Sequence, residues 1–385
     1  MALLDKCEKF NLPQVAQELG LYPFYTAWQH MAADVCEVDG KSALMFGGNN
    51  YLGLAHDDRV VRAASDAALT YGSSLTGSRL LNGSLELHEE LERELADFFG
   101  MPAALVFATG YQANLGVMSG LCGPDDVIFF DQYAHASLLD GARLSQSRMR
   151  MFRHNSPDSL DTALSSAEPG RKGSRLVVLD GIYSMEGDIC ALPELVEVAR
   201  HHQATVLLDD AHGAGVLADG RGTLAHFAGR AEVDLLTLTF SKALASIGGA
   251  VFGTPSTISF LRHHARSMVF SAALSPAATA AALTALRVAR QEPWRGRTAL
   301  RNARTLAGEL AALGYACAPA TTPIIPVPMK DKVQTATVWR DLMNRGVYVN
   351  AVLPPAASAR LRLSCTATQR REHLDEVVAA FAALR

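Results

Sequence analysis

The chain has 385 residues, of which 49% are hydrophobic and 19% charged, a globular composition and not a disordered one. Thirty-five Lys and Arg against 39 Asp and Glu leave a formal net charge of −4, without the basic footprint of a nucleic-acid binder. This length suits one large domain with a smaller one and needs no disulfide staples.

The six cysteines, Cys7, Cys36, Cys122, Cys190, Cys317 and Cys365, include no Cys-x-x-Cys pair, which predicts neither a zinc knuckle nor a dithiol redox motif. The start, Met1-Ala-Leu-Leu-Asp-Lys-Cys-Glu-Lys-Phe10, lacks the apolar core of a signal peptide, so a reduced, cytoplasmic compartment is expected. Three uncharged stretches, 100–124, 243–261 and 267–286, are long enough to cross a bilayer, but Gly, Pro, Ser, Thr or Asn interrupt each of them. A spanning helix wants about 20 predominantly large apolar residues, so no integral membrane association is expected.

In chain order, residues 8–34 read as a polar-to-amphipathic lead broken at Pro13 and Pro23. The stretch Leu85–Leu95 places leucines at 87, 91 and 95, one face of a helix. Short apolar runs follow at 104–107, 126–130, 175–179, 205–208, 235–239 and 249–252. They lack alternation, as strands buried on both faces should. Helical stretches such as 192–203 separate several of them, which predicts an α/β protein with a mostly parallel sheet.

After Pro276 the texture changes to an alanine-rich helix at 277–291 and an amphipathic one at 295–313. An extended Pro-rich piece at 321–328, a helix at 332–345, extended pieces at 347–353 and 360–365 and a final helix from about 370 complete the chain. The expected organisation is an N-terminal arm over 1–45, a large domain over 46–276 and a smaller α+β domain over 277–385.

Ligands of open α/β sheets collect at the carboxyl ends of the strands. Those ends carry Thr109-Gly-Tyr-Gln-Ala-Asn114, Asp180-Gly-Ile-Tyr-Ser-Met-Glu-Gly-Asp188, Asp209-Asp-Ala-His-Gly213 and Thr239-Phe-Ser-Lys-Ala243. Taken singly, Lys242 reads as a surface lysine, Asp209 and Asp210 as turn or capping residues, and His212 as a hydrogen-bonded structural histidine. Together they place an amine, an acid, a histidine and a glycine turn at one sheet edge.

Pyridoxal 5′-phosphate would use every member of that set. It needs a lysine for a Schiff base, an acid for its ring nitrogen and donors for its phosphate, which backbone N–H groups beside Gly110 could supply. Thr239, three residues before Lys242, could reach the phosphate from the same turn. Competing motifs fare worse: the chain has no P-loop, no Gly-x-Gly-x-x-Gly after the first strand and no Gly-x-Ser-x-Gly elbow. His88-Glu-Glu-Leu-Glu92 lacks the second histidine of a zincin, and no metal site is expected.

Six landmarks then carry a family resemblance: Asn49-Asn-Tyr-Leu-Gly-Leu54, Gly77-Ser-Arg-Leu-Leu-Asn-Gly83, His135-Ala-Ser-Leu-Leu139, Ser184-Met-Glu-Gly-Asp188, Asp209-Asp-Ala-His212 and Thr239-Phe-Ser-Lys242. From about residue 18 onward the chain resembles the α-oxoamine synthases, enzymes of the type I, aspartate-aminotransferase-like fold that depend on pyridoxal phosphate. Gly20-Leu-Tyr-Pro-Phe24, Met45-Phe-Gly-Gly-Asn49, Arg262-His-His-Ala-Arg266 and Thr322-Pro-Ile-Ile-Pro326 are most similar to its bacterial serine palmitoyltransferase-like branch. The 8-amino-7-oxononanoate synthase and 2-amino-3-ketobutyrate CoA ligase branches are similar too.

The resemblance implies that Lys242 forms the Schiff base and acts on the substrate Cα proton. Asp209 would pair with the ring nitrogen, His212 with the ring hydroxyl oxygen, and His135 would stack on the ring, holding substrate or assisting proton transfer. Gly110, Tyr111, Ser184 and Thr239 would complete the cofactor site, and Arg362, with Asn49 nearby, would take the amino-acid carboxylate. The implied reaction is a decarboxylative Claisen condensation of serine, alanine or glycine with an acyl thioester, on CoA or an acyl carrier protein, in a homodimer. An aminotransferase of the same fold is the alternative. Three departures stand out: Thr26 where the branch usually has arginine, Ala273 where relatives often have serine, and Gln369 where histidine is common.

Overall fold

Six apolar runs of the sequence become strands of one seven-stranded sheet in the computed structural model, which describes residues 3–167, 169–354 and 357–385. Across the sheet lie Ala103–Phe107, Gly249–Gly253, Leu235–Thr239, Thr205–Asp209, Arg175–Asp180, Val127–Asp131 and Arg148–Phe152. Gly249–Gly253 runs against both its neighbours, and the remaining pairings are parallel. The strand Arg148–Phe152 is not among the expected runs. It is an edge strand whose Arg-Met-Arg-Met sequence stays largely accessible, with only Phe152 buried, so it lacks the continuous apolar signature of its neighbours.

Leu105, Phe107, Ile128, Phe130 and Val178 of the sheet share a core with Ala113, Val117 and Leu138 of the helices Gly110–Leu121 and Ala136–Ser145. On the helix Glu86–Phe99, Leu91 and Leu95 are fully buried, as their spacing predicts. Glu92 on that helix is buried as well. Its carboxylate accepts from the Val106 N–H and from the guanidinium groups of Arg79 and Arg262, each at 3.0 Å.

The chain divides into two compact units, one comprising Asn49–Ser184 and Asp188–Ala299, the other the residues up to Gly48, Met185–Gly187 and Leu300–Arg385. This differs from the expected boundary after residue 276. The helix Pro276–Gln291 buries Ala282, Ala285 and Leu286 and packs on Asp58–Tyr71 within the larger unit. The expected N-terminal arm likewise contributes strands to the smaller unit, where Lys41–Met45 pairs in parallel with Val347–Tyr348. There Ile324–Pro328, Arg360–Ser364 and Asn350–Val352 form an antiparallel sheet. Its core holds Leu306, Leu310, Trp339, Leu361, Leu363 and Phe381.

The turn after Thr205–Asp209 is fixed by Asp210. Its carboxylate accepts from the Thr223 hydroxyl at 2.6 Å and the Thr223 N–H at 2.8 Å. Burial, opposed by those hydrogen bonds, pushes this carboxyl up to about 7. Three glycines close around it: a Cβ would lie 2.4 Å from Asp210 Oδ1 at Gly181, 2.1 Å from it at Gly213, and 2.1 Å from Oδ2 at Gly222. Gly213→Ala is therefore expected to lose about 1–3 kcal/mol of stability by overpacking. Chemical denaturation would measure it, and a variant as stable as the parent contradicts this packing.

Candidate active site

The parallel strands of the large sheet end at one edge, where register sets Asp180 beside Asp209 and brings Gly249 opposite both Thr239 and Phe107. A cavity of about 290 Å³ opens there. It is lined by Gly110, Tyr111, His135, Ser184, Asp209, His212, Thr239 and Lys242, all expected from the sequence, together with Asn114, Ser137, Asp180 and Ser241.

Asp209, on the central strand, is buried, and each of its oxygens has a donor. The Asn114 amide donates to Oδ2 at 2.7 Å and the Ala211 N–H to Oδ1 at 3.1 Å. A buried carboxylate without such partners would be costly. His212, also buried, sits with Nδ1 2.7 Å from the hydroxyl of Tyr51, whose O–H lies 3.1 Å from Asn49 Oδ1. Tyr51 itself is fully buried, so one rigid ring joins Asn49 to His212. Asp180 accepts the His135 N–H at 3.2 Å. Burial, then the proximity of Asp209, drives the Asp180 carboxyl well above the ordinary range.

His135 caps the helix Ala136–Ser145, with Nδ1 accepting the Ser137 N–H at 3.3 Å. Its accessible surface opens onto the cavity. Desolvation holds the imidazole below its ordinary value, with Asp209 opposing and Lys242 reinforcing the shift.

Lys242 lies in the tight connection from Leu235–Thr239 back to Gly249–Gly253. That connection is closed by hydrogen bonds from the Phe240 N–H to Gly248 O, from Ser246 to Phe240 O and from Ala245 to Lys242 O. The Thr239 hydroxyl pairs with Ser241 Oγ at 2.8 Å. Gly110 opens the helix Gly110–Leu121 against this turn, where a Cβ would come within 2.8 Å of Thr239 Cβ. Only glycine fits such an approach. The Tyr111 hydroxyl donates to Asp140 at 2.5 Å.

Arg362 stands on the strand Arg360–Ser364 of the smaller unit, buried, with Nη1 donating to Ser364 at 3.2 Å. Of the departures, Gln369 is a structural strut: its amide N donates to Met45 O at 3.0 Å and its Oε1 accepts from Thr366 N–H at 3.0 Å. Ala273 donates its N–H to Gly77 O at 2.9 Å. Nothing in the structure explains Thr26. The sequence reading gives Asn114, Ser137 and Tyr51 no role. Asn114 carries a signal, standing four residues after Gly110 on the same helix face, and Ser137 stands two after His135. Tyr51 meets His212 across 161 residues, which no local spacing reveals. Among the described residues no His/Cys/Asp/Glu group is placed to hold a metal ion.

This donor set suits pyridoxal phosphate. Lys242 offers an amine, Asp209 a buried acceptor for the ring nitrogen, and the glycine-lined helix start with the Thr239 and Ser241 hydroxyls an anion cradle. Fold and site thus define the type I class of pyridoxal-phosphate enzymes. The aminotransferase class I and II family matches residues 41–381. A serine palmitoyltransferase from Sphingobacterium spiritivorum is 40% identical over 380 residues, covering 98% of this chain and 95% of its own. An 8-amino-7-oxononanoate synthase from Lysinibacillus sphaericus is 37% identical over 369 residues, covering 95% of this chain and 94% of its own. The solved serine palmitoyltransferase from S. paucimobilis, a variant with a bound PLP–myriocin aldimine, superposes with a TM-score of 0.95 at 34% identity, covering 100% of this chain and 98% of its own. The chain belongs to the aminotransferase class I and II family and, within it, to the α-oxoamine synthases, which are pyridoxal-phosphate-dependent C-acyltransferases.

His154 bridges Asp131, at the end of its strand, and Asp188, in the connection after Arg175–Asp180, with Nδ1 3.0 Å from Asp131 and Nε2 2.8 Å from Asp188. Burial alone would depress this histidine, but the two hydrogen-bonded carboxylates outweigh it and push it up to about 10. A folded-state value above the unfolded 6.5 contributes stability that is complete below 6.5 and lost as pH rises through about 10. Denaturation midpoints should therefore fall over that window, and His154→Gln should flatten the fall. An unchanged slope would remove His154 from the account.

Proposed function

We propose that this chain condenses a small α-amino acid with an acyl thioester, releasing the thiol and carbon dioxide and leaving an α-amino ketone. Serine and a long-chain acyl thioester are the best-supported pair, given the likeness to serine palmitoyltransferases. The observation that carries the cofactor chemistry is the meeting of Lys242, Asp209, His212 and His135 around one cavity, and the likeness to serine palmitoyltransferases and an 8-amino-7-oxononanoate synthase supports the condensation.

When bound, pyridoxal phosphate supplies an electrophilic aldehyde and a ring that takes up the electron pair left by the Cα proton. Lys242 would hold the cofactor through its amine, and its Nζ would receive the Cα proton of the amino acid. Asp209, fixed by Asn114, would hold the ring nitrogen, and His212, fixed by Tyr51, would pair with the ring hydroxyl. His135, on the wall of the same cavity, would cover the ring. Gly110 and Tyr111 N–H groups, Ser184 and Thr239 would take the phosphate, and the planar fork of Arg362 would suit the amino-acid carboxylate.

A homodimer is part of this reading. Leu81 and Phe270 stand 81% and 72% exposed on segments joined by the Ala273–Gly77 hydrogen bond, apolar surface that a second copy would cover. Among the described residues no helix is long and apolar enough to cross a membrane, and the six cysteines are free. Both features are in keeping with a cytoplasmic enzyme. The 37% identity to an 8-amino-7-oxononanoate synthase supports a second reading with another amino acid and acyl group.

Stoichiometric thiol and carbon dioxide release tests the reaction, and spectral titration with serine, alanine and glycine separates the two readings. Keto-acid exchange without thiol release would instead indicate transamination. Lys242→Ala should abolish turnover and the borohydride-reducible attachment of cofactor. Arg362→Ala should retain cofactor while raising the amino-acid KM roughly 10- to 100-fold, the weight of a lost charge-assisted contact. An unchanged KM removes Arg362 from that role.

A further inference from the structure

An unbroken run of hydrogen bonds borders the cavity from Asp209 to His135. Asn114 is buried on the helix Gly110–Leu121, and its amide nitrogen lies 2.7 Å from Asp209 Oδ2 and 2.9 Å from Ser137 Oγ. Ser137 is fully buried, and its hydroxyl lies 2.7 Å from His135 Nδ1. The Ser137 backbone N–H reaches the same nitrogen at 3.3 Å.

Counting protons gives this run a direction. The two Asn114 amide hydrogens go to Asp209 and Ser137, so the Ser137 oxygen accepts there and its one hydrogen points at His135 Nδ1. A backbone N–H can only donate, and it points at Nδ1 too. Turning the amide over would set its oxygen against the Asp209 carboxylate, which fixes its orientation. In this orientation Asn114 Oδ1 is buried without a partner, a loss the two donated bonds outweigh. An imidazole nitrogen accepting two hydrogen bonds carries no proton, so the ring's proton sits on Nε2.

We infer that Asn114 and Ser137 are positioning residues that fix His135 as a neutral imidazole protonated on Nε2, so that it presents an N–H and not a lone pair to the occupant of the cavity. The inference deepens the functional reading above and rests on it for the occupant's identity. It leaves Lys242 as the group that takes the Cα proton. The charged groups facing His135 are Asp209, Lys242 and Asp140, with Asp180 on its backbone N–H. Their effects oppose one another, and desolvation sets the downward direction.

The test uses cofactor-free protein labelled with 15N at histidine, with the His135 signal assigned by its loss in His135→Asn. Long-range 1H–15N correlation should show the Nε2–H form alone at every pH above the His135 titration. Protonating Nδ1 breaks the hydrogen bonds it accepts, so removing one of them eases protonation. Ser137→Ala should accordingly raise the His135 midpoint by about one unit and let the proton appear partly on Nδ1. Ser137→Thr should restore the parental values, and Asn114→Leu should shift them in the same direction as Ser137→Ala. A parental spectrum with the proton on Nδ1 overturns the proposal even if Asn114→Leu does not fold. So does an unmoved midpoint and tautomer in a folded Ser137→Ala. Cofactor uptake and thiol release by the same preparations report on the functional reading separately, so the two can fail independently.

Discussion

A carboxylate buried at the end of a central strand is the constraint around which the site is arranged. Asp209 is 5% exposed, and such a group persists only if donors reach it from the surrounding elements. One comes from the helix Gly110–Leu121 through Asn114 and one from its own turn through Ala211. Meeting that need pulls the start of a helix, the cap of another and the end of a strand to within a few ångströms. Gly110 and Gly249 permit the approach, since a Cβ on Gly249 would lie 2.5 Å from Gly110 Cα. The side chains around the cavity and the packing of the sheet edge are thus one arrangement.

The adjacent acids show how two identical residues part company. Asp210 points away into a cage of three glycines and Thr223, so its task is to hold the turn, while Asp209 faces the cavity. This difference is invisible in the string Asp209-Asp210, where either residue reads equally well as a turn former. The direction of a side chain at the end of a strand settles it.

Most of the large sheet was legible in the sequence because strands covered on both faces need continuous apolar runs. The carboxyl-end rule then brought Lys242, Asp209, His212 and Gly110 together without coordinates. What stayed hidden was of two kinds. Arg148–Phe152 and the strands between Val35 and Met45 lie where water reaches part of their surface, so their composition resembles loop. Long-range polar pairs such as Tyr51 with His212, Glu92 with Arg262, and His154 with Asp188 depend on tertiary folding and leave no periodic trace. The end of the larger unit, Ala299, lies beyond the expected boundary after residue 276 for a related reason. An alanine-rich helix announces close packing but not the partner it packs against, here Asp58–Tyr71.

The reversed strand Gly249–Gly253 constrains where the amine of Lys242 can go. Because Thr239 and Gly249 are paired, both ends of the lysine-bearing connection are pinned to the sheet, and internal hydrogen bonds close what lies between. The backbone there has no slack for a hinge. Freedom of the amine is accordingly left to the torsions of its four-carbon stem. Lengthening that connection by even one residue would loosen the pinning that sets where the side chain of Lys242 starts from.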